Sequence, residues 1–206
     1  MNSINFTFGQ VAAAFEYAHK IDPARQSAFR ARLKHYQKQG WPAGINTGRG
    51  KAASYDSGHV VQLMFALQFN EMGLTPDRAV WVLDGNKYWW QLAFKYTTMS
   101  FVEGKRHPFF LTFDPSSLDE LRIDGAYDGA DETFNYFGTG TLREAIKDWS
   151  ESGVIRFSVL NIQSALDPVL AVLSRFYPET DILQAMIVWV EDAIEEYYKD
   201  DDDSNS

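Results

Sequence analysis

The spacing of apolar side chains predicts a chain built mainly from helices. Apolar residues recur three and four positions apart over residues 8–18, which predicts a first helix. Asp22 as N-cap and Pro23 at the first helical position predict a second helix. That helix runs through Gln39 and ends at Gly40, because glycine readily adopts the left-handed conformation that closes a helix.

Two more helices are predicted after a glycine-rich segment. Residues 41–55 combine glycines with two basic residues near their centre, which favours a hairpin or wing. Asp56 or Ser57 then caps a third helix that ends at Gly73. Thr75 caps a fourth helix. The predicted order is therefore helix, helix, wing, helix, helix.

The second half of the chain predicts a mixture of helices and a few strands. Residues 81–101 are dense in aromatic side chains and ambiguous in secondary structure, with a predicted break at Gly85-Asn86. Later patterns predict two strands, at residues 108–113 and 154–162, with a surface loop at 124–140 between them. Two closing helices are predicted at residues 164–176 and 180–198.

Charge is distributed unevenly along the chain. The net charge is −9, yet residues 1–60 hold eight Lys and Arg against three Asp and Glu, a local charge of +5, so residues 61–206 carry −14. A basic segment is what binding to nucleic-acid phosphates requires. The chain has no cysteine, which excludes disulfides and thiolate metal sites, and no stretch of eighteen uncharged apolar residues. We therefore expect a cytoplasmic protein without a membrane partner, associated with the nucleoid when bound to DNA.

Three blocks of the N-terminal segment resemble the MerR-like transcription regulators. The recognition helix of that family ends in Leu-Arg-Tyr-Tyr-x-x-x-Gly-Leu, and the similar run here is Leu33-Lys34-His35-Tyr36-Gln-Lys-Gln-Gly40-Trp41. The family's wing carries spaced basic residues and an aromatic before an aspartate, matched by Arg49, Lys51, Tyr55 and Asp56. The family's next helix ends in the pattern Gly-hydrophobic-Ser/Thr-x-x-hydrophobic, which residues 72–79 of this chain resemble.

The resemblance implies a winged helix-turn-helix that binds double-stranded DNA. A helix in the major groove reads base edges with Arg, Lys and Gln, and the side chains that fit here are Gln26, Arg30, Lys34 and Gln37. The family places Lys34, His35 and Tyr36 near the sugar-phosphate backbone, although a core position is an equal alternative for Tyr36. The predicted wing contacts come from Arg49, Lys51 and Tyr55.

The predicted fold class is α+β and mostly helical. A MerR-like winged helix domain over residues 1–85 precedes a smaller C-terminal α/β region with few strands over 86–198 and a disordered acidic tail over 199–206. The predicted function is that of a sequence-specific transcription regulator acting as a homodimer, with a possible protein partner at the acidic C-terminal part. We find no catalytic, metal or cofactor motif. The alternatives are a protein-interaction adaptor that no longer binds DNA and an excisionase-like architectural protein.

Overall fold

Helices dominate the computed structural model, which describes residues 4–45, 52–104, 108–113, 135–152 and 157–204. In chain order the helices are α1 (Phe8–Ala18), α2 (Gln26–Lys38), α3 (Ser57–Glu71), α4 (Pro76–Gly85), α5 (Lys87–Val102), α6 (Thr139–Ser152), α7 (Ile162–Phe176) and α8 (Ile182–Ser204). The strands are β1 (Phe6–Thr7), β2 (Ser54–Tyr55), β3 (Phe109–Phe113), β4 (Asn135–Gly138) and β5 (Ser158–Asn161). These elements confirm the α+β, mostly helical class.

Local side chains set the ends of the first four helices. The Thr7 hydroxyl accepts a hydrogen bond from the backbone N–H of Gln10, whose side-chain oxygen accepts one from the backbone of Thr7. The hydroxyl of Thr75 caps α4 in the same manner. Gly40 and Gly73, with φ of 74° and 98°, close α2 and α3. The predicted cap at Thr75 and the predicted helix ends at Gly40 and Gly73 are confirmed.

The entry into α2 differs from the prediction. Asp22 accepts a hydrogen bond from the backbone of Ala24 at 2.8 Å, as an N-cap does. The residues that follow form a 3₁₀ turn, Pro23–Arg25, in which the N–H of Arg25 donates to the carbonyl of Asp22. The α-helix therefore begins at Gln26, three residues later than expected.

The first of two compact units comprises Met1–Leu67 and Ser164–Trp189. Within it β1 pairs antiparallel with β2, which places Phe6 opposite Tyr55. The Phe6 ring meets the Tyr177 ring edge-on at 5.4 Å. Tyr177, the residue that follows α7, thus packs against the beginning of the chain.

A second set of contacts joins α3 to α8 inside this unit. The Ser57 hydroxyl donates to the carbonyl of Ala185 at 3.2 Å, and the indole of Trp189 covers Gly58. The predicted domains 1–85 and 86–198 do not coincide with this division, because α7 and the first part of α8 complete the core around α1 and α3.

The second compact unit comprises Gln68–Gln163 and Val190–Ser206. Its three strands form an antiparallel sheet in the order β4, β3, β5. Helix α5 packs against this sheet, and Tyr96 stacks on Phe109 at 5.5 Å. The helical path breaks at Asn86, as predicted, and the indole N–H of Trp90 donates across the break to the carbonyl of Leu83.

Several predictions for the later segments need correction. Strand β4 and the start of α6 occupy residues 135–140, so that part of the predicted 124–140 loop is wrong, while residues 114–134 lie outside the described residues. Helix α8 continues to Ser204, so the tail predicted as disordered is helical through that residue. Once a helix has formed, each added residue gains a backbone hydrogen bond, which allows extension into polar sequence.

Candidate nucleic-acid interface

The exposed surface of α2 is strongly cationic. The helix and its preceding turn contain no acidic residue. Their exposed cations are Arg25, Arg30, Arg32, Lys34 and Lys38, and His35 is exposed beside them. Arg30 forms an ion pair, whereas within the described residues the other four cations have no ion-pair partner. Uncompensated charge of one sign on one helix suits contact with a polyanion.

The opposite side of α2 packs into the core of the first compact unit. Leu33 and Tyr36 are buried, and Tyr36 is 0% exposed. The Tyr36 ring packs against the Trp41 ring at 5.5 Å, and the N–H of Trp41 donates to the Tyr36 carbonyl. A burial pattern of this kind holds α2 in one orientation and leaves its cations facing solvent.

Two side chains predicted to contact DNA do not lie on the protein surface. Tyr36 and Tyr55 were expected to touch DNA, but both side chains are buried, with exposures of 0% and 2%. A fully enclosed ring cannot reach a phosphate or sugar without unfolding its surroundings. Burial also raises the pKa of Tyr55, because the phenolate is poorly solvated there. Both tyrosines are core residues of the first compact unit.

Arg30 holds α2 against α1 through an ion pair. Its Nε donates to Glu16 Oε1 at 2.6 Å and its Nη2 donates to Glu16 Oε2 at 3.2 Å. Glu16 is only 8% exposed, whereas the Arg30 side chain is 45% exposed. The hydrogen bond and the charge of Glu16 raise the pKa of Arg30. The Arg30 guanidinium, which was expected to read a base, therefore binds the Glu16 carboxylate instead.

Replacing Arg30 with methionine should lower the midpoint of urea unfolding, because it leaves the buried Glu16 carboxylate without its partner. Adding Glu16→Leu should recover much of the loss, since the unpaired charge is then removed. Arg175→Met, at an exposed arginine of α7, is the matched control and should leave the midpoint nearly unchanged. An Arg30→Met protein as stable as the parent would contradict this structural role.

The other predicted contacts fall into two groups. Lys34 and His35 are exposed, while Gln26 and Gln37 are half-buried at the edge of the cationic surface. The ammonium of Lys34 lies 5.6 Å from the centre of the Phe8 ring. Arg49 and Lys51 lie outside the described residues. The structure thus brings four of the predicted side chains together on α2.

His59 joins the two ends of the segment predicted to form the wing. Its Nδ1 accepts a hydrogen bond from the backbone N–H of Asp56, and its Nε2 lies 2.8 Å from the carbonyl oxygen of Ala43. In return the Asp56 carboxylate accepts the backbone N–H of His59. No role was predicted for His59, although its spacing of three from Asp56 is that of a capping box.

Comparison with family models, curated proteins and solved structures gives no match for the chain. In the parts of the chain that the structure describes, no helix is long and apolar enough to cross a membrane. The same residues contain no group of three His, Asp or Glu side chains placed to hold a metal ion. The candidate interface therefore rests on the geometry and charge of α2.

Proposed function

We propose that the protein is a sequence-specific DNA-binding transcription regulator that acts as a homodimer. The observation that carries this proposal is the surface of α2, where four exposed cations have no ion-pair partner in the described residues. Binding to DNA phosphates would satisfy these charges and release condensed counterions. The resemblance of residues 33–41 to a MerR-like recognition helix points to the same helix.

The order of elements is compatible with a winged helix-turn-helix. Helices α1 and α2 are joined by a short turn, and β1 pairs with β2 immediately before α3. A recognition helix must bury one side and present polar side chains on the other, as α2 does. With Tyr36 buried and Arg30 paired, we assign base contacts to Lys34 and Gln37 and phosphate contacts to Arg32 and Lys38.

Binding to genomic DNA fragments at several salt concentrations tests the proposal. Log affinity should fall linearly with log salt, and Arg32→Ala and Lys38→Ala, which remove the assigned phosphate contacts, should each reduce that slope by about one unit. Fluorescence anisotropy with labelled fragments measures both quantities. Arg143→Ala removes an exposed arginine of α6 and serves as the matched control, with an expected slope equal to that of the parent.

Two results would overturn the proposal. Failure to retain any fragment at the lowest salt concentration would show that the protein does not bind DNA, since electrostatic binding is strongest there. An equal loss of slope in the Arg143→Ala control would mean that binding is spread over the protein surface and is not centred on α2. Preference among fragments, measured against a scrambled duplex of equal length, separates a regulator from a non-specific DNA-coating protein.

A further inference from the structure

Three tyrosines form a cluster in the second compact unit. Tyr88 of α5 lies 5.0 Å from Tyr197 and 5.9 Å from Tyr198 of α8, measured between ring centres. The hydroxyl groups of Tyr88 and Tyr198 share a hydrogen bond of 2.8 Å. Tyr197 and Tyr198 are nonetheless 43% and 53% exposed. Rings that are fixed by neighbours and still exposed lose little side-chain entropy when another surface covers them.

Carboxylates precede the tyrosine cluster along α8. The acidic side chains are Glu191, Asp192, Glu195 and Glu196, and Lys199 is the basic residue that follows. Glu191, Glu195 and Tyr198 fall at positions i, i+4 and i+7, which places them on one side of the helix. Within the described residues none of the four carboxylates has an ion-pair partner. We call these residues with the tyrosine cluster the acidic tyrosine surface.

We propose that the acidic tyrosine surface binds the cationic surface of α2 in a second copy of this chain. The two surfaces are complementary in charge, with four unpaired carboxylates on α8 and four unpaired cations beside and on α2. Residues 1–60 carry +5 and residues 61–206 carry −14, so the N-terminal segment of one copy attracts the remainder of another copy.

The tyrosines specify how the cations are held. A cation sandwiched between two parallel rings needs ring centres about 7 Å apart or more, since each contact takes about 3.5 Å. The rings here are 5.0–6.1 Å apart, which leaves no slot between them. Arginine and lysine side chains would therefore lie on the outer ring faces with their charges towards the carboxylates. Nucleic acid is disfavoured as the occupant because the carboxylates repel phosphates.

The contact has a regulatory consequence that rests on the proposed function of α2. Each copy would offer the same cationic helix either to DNA or to α8 of another copy. Association through α2 and DNA binding would then be mutually exclusive at that helix, so the homodimer proposed to bind DNA would use a different contact. The association itself does not depend on DNA and can be measured without it.

Sedimentation velocity over a range of protein concentrations tests the association. At about 0.02 M salt the weight-average sedimentation coefficient should rise with concentration, and at about 0.3 M salt the rise should be much smaller because the charges are screened. Glu195→Lys with Glu196→Lys should abolish the rise, and so should Lys34→Glu with Lys38→Glu. The chain carrying all four substitutions should associate again, because each reversed surface then meets a reversed partner.

Milder variants separate charge from ring contacts. Glu195→Gln with Glu196→Gln should weaken association by about 1.5- to 5-fold for each charge pair lost. Glu144→Gln with Glu179→Gln removes equal charge elsewhere and should have no effect. Tyr198→Ala should weaken association, and Tyr198→Phe should retain it because the ring face remains. Circular dichroism of each variant shows that the fold is kept.

A parent protein that stays monomeric at every concentration in low salt would overturn the inference. Association that survives in each double charge variant, or that the fourfold variant fails to restore, would also overturn it, since another surface would then be responsible. Adding duplex DNA provides the final separation. DNA that dissociates the assembly supports competition at α2, whereas an assembly that persists without any DNA binding contradicts the proposed function and leaves the self-contact standing.

Discussion

Replacing Tyr36 with alanine is expected to reduce the free energy of unfolding by about 3–5 kcal/mol. The ring is completely buried and packs against Trp41, so truncation removes its contacts and leaves a cavity beside α2. That loss is a large share of the roughly 5–15 kcal/mol by which a domain is stable. Urea unfolding followed by circular dichroism measures the change.

Two tyrosine variants distinguish a core residue from a DNA contact at position 36. Tyr36→Phe keeps the ring, so it should preserve most of the stability and the DNA affinity. Tyr17→Ala truncates an exposed tyrosine of α1 and should change the free energy of unfolding by about 0.5 kcal/mol or less. A Tyr36→Ala protein with normal stability and weakened DNA binding would return this residue to the interface.

Replacing Gly58 with alanine is expected to destabilise the protein by about 1–3 kcal/mol, despite the better helix propensity of alanine. A Cβ atom at this second residue of α3 would overlap the indole of Trp189. The indole is a rigid ring, so the helices must move apart or the ring must leave its position. Thermal unfolding of the purified variant reports the loss as a lower melting temperature.

Gly9 offers a matched control because it is also the second residue of its helix. A Cβ atom there would meet only the Thr7 hydroxyl, at an ordinary 3.9 Å, so Gly9→Ala should be neutral or stabilising by up to about 1 kcal/mol. Combining Gly58→Ala with Trp189→Ala should cost less than the sum of the single changes. Additive effects would mean that the indole does not restrict this position.

The sequence predicted the helix ends well because their causes are local. Asp22 and Thr75 satisfy backbone N–H groups two or three residues away, and Gly40 and Gly73 supply the conformation that ends a helix. Each signal can be read from a few consecutive residues. The order of elements in the first half of the chain followed from these signals together with the spacing of apolar residues.

Contacts between distant residues could not be predicted in the same way. Glu16 and Arg30 are fourteen positions apart, and nothing in either helix alone shows that their side chains meet. The pairing of β1 with β2 spans nearly fifty residues and involves only two residues on each strand, too few for a hydrophobic repeat. The burial of Tyr55 depends on that pairing, which is why it was mistaken for an exposed wing residue.

The first compact unit is discontinuous, and this arrangement governs when it can be completed during synthesis. Its last segment, Ser164–Trp189, is translated only after residues 68–163 have been synthesised. Until then the apolar residues of α1 and α3 lack the helices that cover them, and a chain stopped at residue 85 would expose them permanently. Contacts between segments so distant in sequence slow folding, and the apolar surface stays exposed to chaperones for longer.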